Sequence, residues 1–325
     1  MPRTTVGILR GGPSPEYDVS LKTGSALLNA LPEDRYLVRD VFIDKRGEWH
    51  LHGKATEPAR ILQQLDAVLN GLHGTYGEDG TVQRILERSR VPFAGTRASA
   101  SSLAMHKART QAHLAQHGVR MPRTVHLSLA KVGTTPMGDL AQGVFQRFGP
   151  PYVVKPARLG SSVGVRIINS VHDLPQALAD ALSAFDHILV QEHIAGREAT
   201  VGVIERFRGQ DLYALPAVEI VPKRSFFDYE AKYAGASEER CPSTFDSATK
   251  LELEELAKHV HESMELAHYS RSDFIVHPSG RVYFLEVNTL PGLTEQSLMP
   301  LALSAVGSSL SEFAEHLVKL ARDDS

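Results

Sequence analysis

The chain has few of the residues that staple, anchor or strongly polarise a protein. A single cysteine, Cys241, occurs among 325 residues, which excludes an internal disulfide and any multi-cysteine zinc site and fits a reducing compartment. Packing is its expected role. Neither sign of charge dominates: 35 Lys and Arg face 38 Asp and Glu, a net of −3, so no broad positive field exists for nucleic acid or an anionic membrane. A small anionic ligand would need a local cluster of cations. No apolar run reaches the roughly 18 residues of a membrane span, and Met-Pro-Arg-Thr-Thr leads into an apolar strand without the basic-then-apolar pattern of a secretion signal. The expectation is a cytoplasmic protein with no membrane or nucleic-acid partner. Internal repeats and low-complexity tracts are missing too. What is there is 42% hydrophobic content, ample for ordinary cores at two or three domains' length.

Apolar Thr5–Leu9, then Arg10-Gly-Gly-Pro-Ser14, then a helical period over Val19–Ala30 predict a β-loop-α opening. Strands over Leu37–Ile43 and Ala67–Leu72, the second preceded by a helix at Arg60–Gln64, continue the alternation of a parallel open sheet. This predicts a Rossmann-like N-terminal domain over 1–98. Because Gly11-Gly-Pro-Ser14 is not Gly-x-Gly-x-x-Gly, it does not support a nicotinamide oxidoreductase. One helix over Ser99–His117, with strands Tyr152–Lys155 and Val163–Ile168 around a glycine-serine loop, reads as an α+β lobe over 99–188. Strands at Leu189–Glu192, Thr200–Ile204 and Leu212–Ile220, a helix at Lys250–Leu266 and two closing strands make a third unit over 189–325. The expected fold class is α/β combined with α+β.

The closing strands, Asp273–Val276 and Val282–Asn288, flank His277-Pro-Ser-Gly-Arg281, a strong turn sequence that predicts an antiparallel hairpin. If Asp273 lies opposite Glu286, Arg271 lies opposite Asn288. Alternation then sends all four side chains to one face, and Phe274, Val276, Leu285 and Val287 to the other. A one-residue slip would destroy that segregation, so the pattern itself favours the register. Asp273, Glu286 and Asn288 form a hard-oxygen set suited to one or two magnesium ions shared with a polyphosphate. The bland alternative is an exposed, salt-bridged sheet face.

Lys155 ends an apolar strand just before Ala157-Arg-Leu-Gly-Ser-Ser-Val-Gly164. By itself the loop would pass for a flexible connection. A lysine ahead of backbone donors able to close over phosphates is a recipe for nucleotide binding, although no Walker sequence is present. Fifteen histidines do not make a zinc enzyme, because His259 and His261 diverge on a predicted helix and no His-Glu-x-x-His occurs. Phe226-Phe-Asp-Tyr-Glu-Ala-Lys-Tyr-Ala-Gly235 reads as a lid able to exclude water.

In order along the chain stand Gly11-Gly-Pro-Ser-Pro-Glu16-Tyr-Asp-Val-Ser20, His73-Gly-Thr-Tyr-Gly-Glu-Asp-Gly80, Lys155–Gly164, Phe227-Asp-Tyr-Glu-Ala-Lys-Tyr233, Arg271-Ser-Asp273 and Glu286-Val-Asn288. Together they resemble the D-alanine–D-alanine ligase family of the ATP-grasp superfamily over nearly the whole chain. The resemblance implies an ATP-grasp fold, ATP with Mg²⁺ or Mn²⁺ and two ions, two molecules of D-alanine, a homodimer, and a place in peptidoglycan precursor synthesis.

It also implies residue roles. Glu16 would bind the first D-alanine's ammonium in a network with Ser161 and Tyr233, with His73 near its carboxylate. Lys107, Lys155, Ser162 and Lys232 would hold phosphates, and Glu192 and Glu198 adenine or ribose. Arg271 and the Gly292 amide would stabilise the tetrahedral oxyanion, Ser297 and Leu298 would seat the second D-alanine, and Asp273, Glu286 and Asn288 would bind metal. Taken singly, Glu16 passes for a helix-start acid, His73 for a turn histidine and Lys232 for a surface charge. Two residues depart from the family pattern. His106 stands before Lys107 where aspartate is common, and Phe227 stands where some members have tyrosine. A D-alanine–D-lactate ligase is the alternative within the class, disfavoured by the Glu-Ala-Lys-Tyr233 segment. A non-catalytic nucleotide-binding regulator would have lost one of Arg271, Asp273, Glu286 and Asn288.

Overall fold

The computed structural model describes residues 3–324 apart from 159, 161–162 and 223–236, and of 222 and 237 the backbone alone. Ser161, Ser162, Phe227, Lys232, Tyr233 and the expected lid fall outside the described residues.

The described residues form three sheets. The first comprises β1 (Thr4–Gly11), β2 (Tyr36–Ile43), β3 (Trp49–Leu51), β4 (Lys54–Ala55), β5 (Ala67–Asn70) and β6 (Phe93–Ala94), in the order β4-β3-β2-β1-β5-β6. Its inner strands are parallel, and both faces are covered, as a parallel sheet requires. Val6 and Ile8 pack with Leu27 of helix Tyr17–Ala30 and with Phe313 and Leu317 of helix Leu310–Asp323. Leu9, Val41 and Val68 pack with Ile61, Leu62, Val82 and Leu86 of helices Pro58–Leu62 and Thr81–Ser89. The chain's last helix thus covers the first sheet, although it follows the third in sequence.

The second sheet, β7 (Thr124–Ser128), β8 (Tyr152–Pro156), β9 (Arg166–Ile168) and β10 (His187–Glu192), has the antiparallel order β7-β10-β8-β9. Here the expectation of a third-unit strand at Leu189–Glu192 is corrected. That segment lies between β7 and β8, so a boundary after 188 cuts through it, and the sheets separate between Glu192 and Arg197 instead. The expected strand at Val163–Ile168 shortens to Arg166–Ile168, and Gly164 takes a positive φ of 74° in the turn before it.

The third sheet contains β11 (Arg197–Phe207), β12 (Gln210–Ala214), β13 (Val218–Pro222), β14 (Ser237–Arg240), β15 (Tyr269–Val276) and β16 (Val282–Asn288). Its order is β14-β13-β11-β15-β16, with β12 added to β11. The single expected strand over Leu212–Ile220 is two, separated at Leu215-Pro-Ala217, where proline lacks the ladder's donor.

At the site end the hairpin has the expected register: Arg271 pairs Asn288 and Asp273 pairs Glu286. A bulge follows, with Phe274 opposite Phe284 and Leu285 as the extra residue. The core expectation for Leu285 is therefore corrected. Phe284 is fully buried with Phe274, Val276, Val282 and Val287 against helix Ser247–Ser263, while Leu285 is half-buried. The bulge lets the larger side chain enter the core, where full burial is worth roughly 1.5–3 kcal/mol, while Glu286 and Asn288 stay on the opposite face.

The helix expected over Ser99–His117 is interrupted at His106, giving Ala98–Met105 and Lys107–Gln116. His106 has φ −102° and ψ 88°, and the Lys107 N–H donates to Ala157 O at 2.9 Å. A bond to the second sheet thus anchors the new helix start beside the glycine-serine loop.

Candidate active site

The chemically loaded face belongs to the third sheet. Alternation on β11 puts Glu198, Thr200 and Gly202 opposite Ile275, Asp273 and Arg271 of β15, and β16 adds Glu286 and Asn288. The other face carries Ala199, Val201, Phe274 and Val287 in the core.

Arg271 grips Asp273 with both ends of its fork, Nε to Oδ1 at 2.9 Å and Nη2 to Oδ2 at 3.0 Å. Thr200 Oγ1 donates to the same Oδ1 at 2.6 Å. Burial opposes the Arg271 charge, but the attraction of Asp273, then of Glu286 and Glu78, outweighs it and holds the guanidinium above its ordinary pKa. Lys107 Nζ reaches across to Glu286 Oε2 at 3.1 Å, and Asn288 Oδ1 accepts from Leu290 N at 3.1 Å. Lys155 is buried in β8, two residues before the Ala157 carbonyl that receives Lys107 N–H. Lys107, whose backbone is bonded to the end of β8, therefore meets a carboxylate of the third sheet.

The first sheet contributes a second wall. Ser20 Oγ accepts from Gly11 N and donates to Gly71 O, both at 2.9 Å, pinning helix Tyr17–Ala30 to the ends of β1 and β5. Glu16 stands at the N-cap of that helix and makes no side-chain cap bond. Two glycines let other loops approach its carboxylate: a Cβ on Gly74 would lie 2.5 Å from Glu16 Oε2, and one on Gly160 would lie 3.6 Å from Oε1. Gly160 is thus placed beside Glu16. His73 is buried, with Nε2 2.7 Å from Thr23 Oγ1 and Nδ1 3.6 Å from Glu78 Oε1.

The third wall is the loop after β16. Ser297, N-cap of helix Leu298–Ala305, accepts from Thr294 N at 3.1 Å through its Oγ and lies 2.8 Å from Thr294 Oγ1. A Cβ on Gly292 would sit 2.9 Å from Ser297 Oγ, so the Ser297 side chain would have to shift to admit one. Leu298 packs on the core beneath.

Two further residues have distinctive surroundings. The carboxylate of Glu192 is engaged by Arg123, accepting from its N at 2.9 Å and its Nε at 2.6 Å. His106 is buried against the rings of His126 and His187, each centroid 5.8 Å away. Burial first, then Arg158 and Arg109, push it down to about 4, so it is neutral where an aspartate would carry charge.

Sequence reasoning missed Glu78 and Thr200. Glu78 accepts from Gly74 N at 2.8 Å, approaches His73, and adds to the negative field at Arg271, linking the first wall to the third sheet. It stood inside the His73–Gly80 motif but passed for turn chemistry. Thr200 was legible only through its alternation with Glu198 on β11.

As a group, Asp273, Glu286 and Asn288 supply hard oxygen donors, the chemistry that magnesium or manganese takes, so the residues fit such an ion.

Comparison with known proteins agrees with this geometry. Residues 114–319 match the family described as the D-ala D-ala ligase C-terminus, and 5–64 with 52–96 match the D-ala D-ala ligase N-terminus. The D-alanine--D-alanine ligase of Geobacter sulfurreducens is 38% identical over 97% of this chain and 93% of its own length. That of Aquifex aeolicus is 35% identical over 96% and 99%. Among solved structures, D-alanyl-alanine synthetase A from Vibrio cholerae superposes with a TM-score of 0.86 at 27% identity, covering 100% of both chains. The VanG D-Ala:D-Ser ligase from Enterococcus faecalis gives 0.86 at 26%, covering 98% of this chain and all of the other. Fold and cleft thus define an ATP-grasp enzyme, an ATP-dependent ligase that joins a carboxylate to an amine. Within that class, the chain belongs to the D-alanine–D-alanine ligase family. No helix among the described residues is long and apolar enough to cross a membrane.

Proposed function

We propose that each wall of the cleft handles one reactant of D-alanine–D-alanine ligation. The reading rests on one observation above all: Arg271, Asp273, Glu286 and Asn288 share a sheet face that meets Lys107 from the opposite side. The first D-alanine carboxylate attacks the γ-phosphorus of ATP, breaking its bond to the bridging oxygen, and ADP leaves with that electron pair. This gives an acyl phosphate, which an amine can attack where a bare carboxylate resists. The second D-alanine's neutral amine adds to the carbonyl carbon, the tetrahedral oxyanion collapses, phosphate leaves, and the nitrogen loses a proton.

No protein nucleophile is required, so catalysis is positioning and charge stabilisation. Glu16 holds the first ammonium, in a network with Ser161 and Tyr233, and His73 lies near the first carboxylate. Lys107, Lys155, Lys232 and Ser162 grip phosphates, Glu198 takes the nucleoside, and Glu192 joins it only if it releases Arg123. Arg271 and the Gly292 amide face the oxyanion, and Ser297 and Leu298 seat the second D-alanine. Asp273, Glu286 and Asn288 would hold two Mg²⁺ or Mn²⁺ ions, which neutralise phosphate charge when bound. A cytoplasmic homodimer, built from an N-terminal substrate domain and two ATP-grasp lobes, completes the proposal on family resemblance.

Phosphate release with D-alanine, L-alanine and no amino acid tests the reading, with product mass identifying the dipeptide. Release that is equal in all three would sink it. Repeating the assay with D-lactate or D-serine as second substrate separates the amine-selective reading from the depsipeptide and D-Ala:D-Ser alternatives.

A further inference from the structure

We infer that the metal-binding face is held shut by the protein's own cations, and that the nucleotide opens it by drawing Lys107 off Glu286. The inference rests on the assignment of Asp273, Glu286 and Asn288 as metal ligands, and it concerns the order in which that site becomes available.

Every oxygen-bearing side chain of the set already has a protein donor. Asp273 has Arg271 on both oxygens and Thr200 on one; Glu286 has Lys107 at 3.1 Å; Asn288 Oδ1 has the Leu290 N–H. Formally, Arg271 and Lys107 cancel Asp273 and Glu286. A divalent ion approaching this face alone meets no net attraction from these four groups and must also compete with two cations in place.

The two cations are not equivalent. Arg271 is a planar fork fitted to Asp273 and reinforced by the charges of Glu286 and Glu78, and a carboxylate has lone pairs enough to keep that fork and still bind an ion. Lys107 is a point charge on a flexible stem, rooted by its own backbone bond to Ala157 at the mouth of the phosphate loop. The phosphate oxygens of a bound nucleotide offer it a stronger partner than one carboxylate. Moving Nζ to them takes one positive charge away from Glu286 and adds negative charge nearby, so metal affinity rises once the nucleotide is seated. Lys107 is therefore a positioning residue for the ion as well as a phosphate ligand.

The consequence runs against intuition: removing a binding-site lysine should improve metal binding to the nucleotide-free protein. Electron paramagnetic resonance titration with Mn²⁺ alone should give weak binding for the native chain. Lys107→Gln should bind at least about tenfold tighter, the factor expected when a like charge a few ångströms from a dication is deleted. Lys107→Gln combined with Glu286→Gln should lose the gain, and circular dichroism should show all variants folded. If Lys107→Gln binds Mn²⁺ no better than the native chain, or the double variant keeps the gain, the gating idea is wrong. A non-hydrolysable ATP analogue separates the underlying assignment. If native and Glu286→Gln proteins then bind Mn²⁺ equally, the ion sits on the nucleotide alone, and the metal-ligand assignment fails first.

Discussion

Two polar clusters flank the start of β15, one leading into it and one partway along it, and they differ in what holds them. Just before the strand, His268 is buried, accepts from Gly95 N at 3.0 Å on Nδ1, and lies 3.1 Å from Asp324 through Nε2. Because Nδ1 accepts, Nε2 carries the proton and donates it to Asp324. Glu205, His268 and Asp324 have ligand atoms within 4.8 Å of one another, but that tautomer leaves His268 no lone pair for a metal. The Gly95 backbone amide and the Asp324 side chain, just past the final helix, hold this cluster. Farther along β15, Arg271, Asp273, Glu286 and Lys107 are joined by side chains alone, which can exchange partners without disturbing a strand. A latch is built from backbone and a fixed tautomer; a reaction site is built from replaceable contacts.

The contrast breaks most sharply at Arg271. Arg271→Ala should lower turnover by roughly 10²–10³, the scale of losing an oxyanion donor, with nucleotide binding largely intact by calorimetry. At the other cluster, His268→Ala should cost about 2–4 kcal/mol of stability by deleting a buried side chain and orphaning the Gly95 donor. Urea unfolding would read the loss, with turnover per folded molecule unchanged; a large fall in turnover at full stability would erase the distinction.

His106 sharpens it through pH. Its folded pKa of about 4 lies below the ordinary imidazole value of 6.5, so the unfolded chain binds the proton first as pH falls. The neutral form's contribution is fully present above 6.5 and is lost on acidification, levelling off below about 4. His106→Gln should flatten that part of the stability profile relative to native. The smallest effect is expected at Thr200. Thr200→Val should raise the metal concentration needed for half-maximal rate about tenfold, as losing a second contact to a ligand does, and Thr200→Ser should restore it.

Much of the site could be read from the sequence because its signals are local. His277-Pro-Ser-Gly-Arg281 fixed a hairpin, and alternation fixed its register at Asp273 and Glu286. The bulge was hidden because Phe284 and Leu285 are both apolar, and only packing against helix Ser247–Ser263 decides between them. Strand β10 was assigned to the wrong sheet because its hydrophobic run says nothing about its neighbours. The helix break at His106 depends on a hydrogen bond to Ala157, about fifty residues away by ordinary counting, and no propensity announces it. Glu78 and Thr200 were missed for a related reason: each acts through a residue that the fold, not the chain, brings near.

That bond from Lys107 N to Ala157 O has a mechanical meaning. It ties the root of Lys107 to the end of the strand that carries Lys155, so a movement of one would be passed to the other. On the proposed reading, a shift of β8 away from the third sheet would also carry Lys107 away from Glu286. Entry of the substrate and exposure of the carboxylate behind it then become one movement.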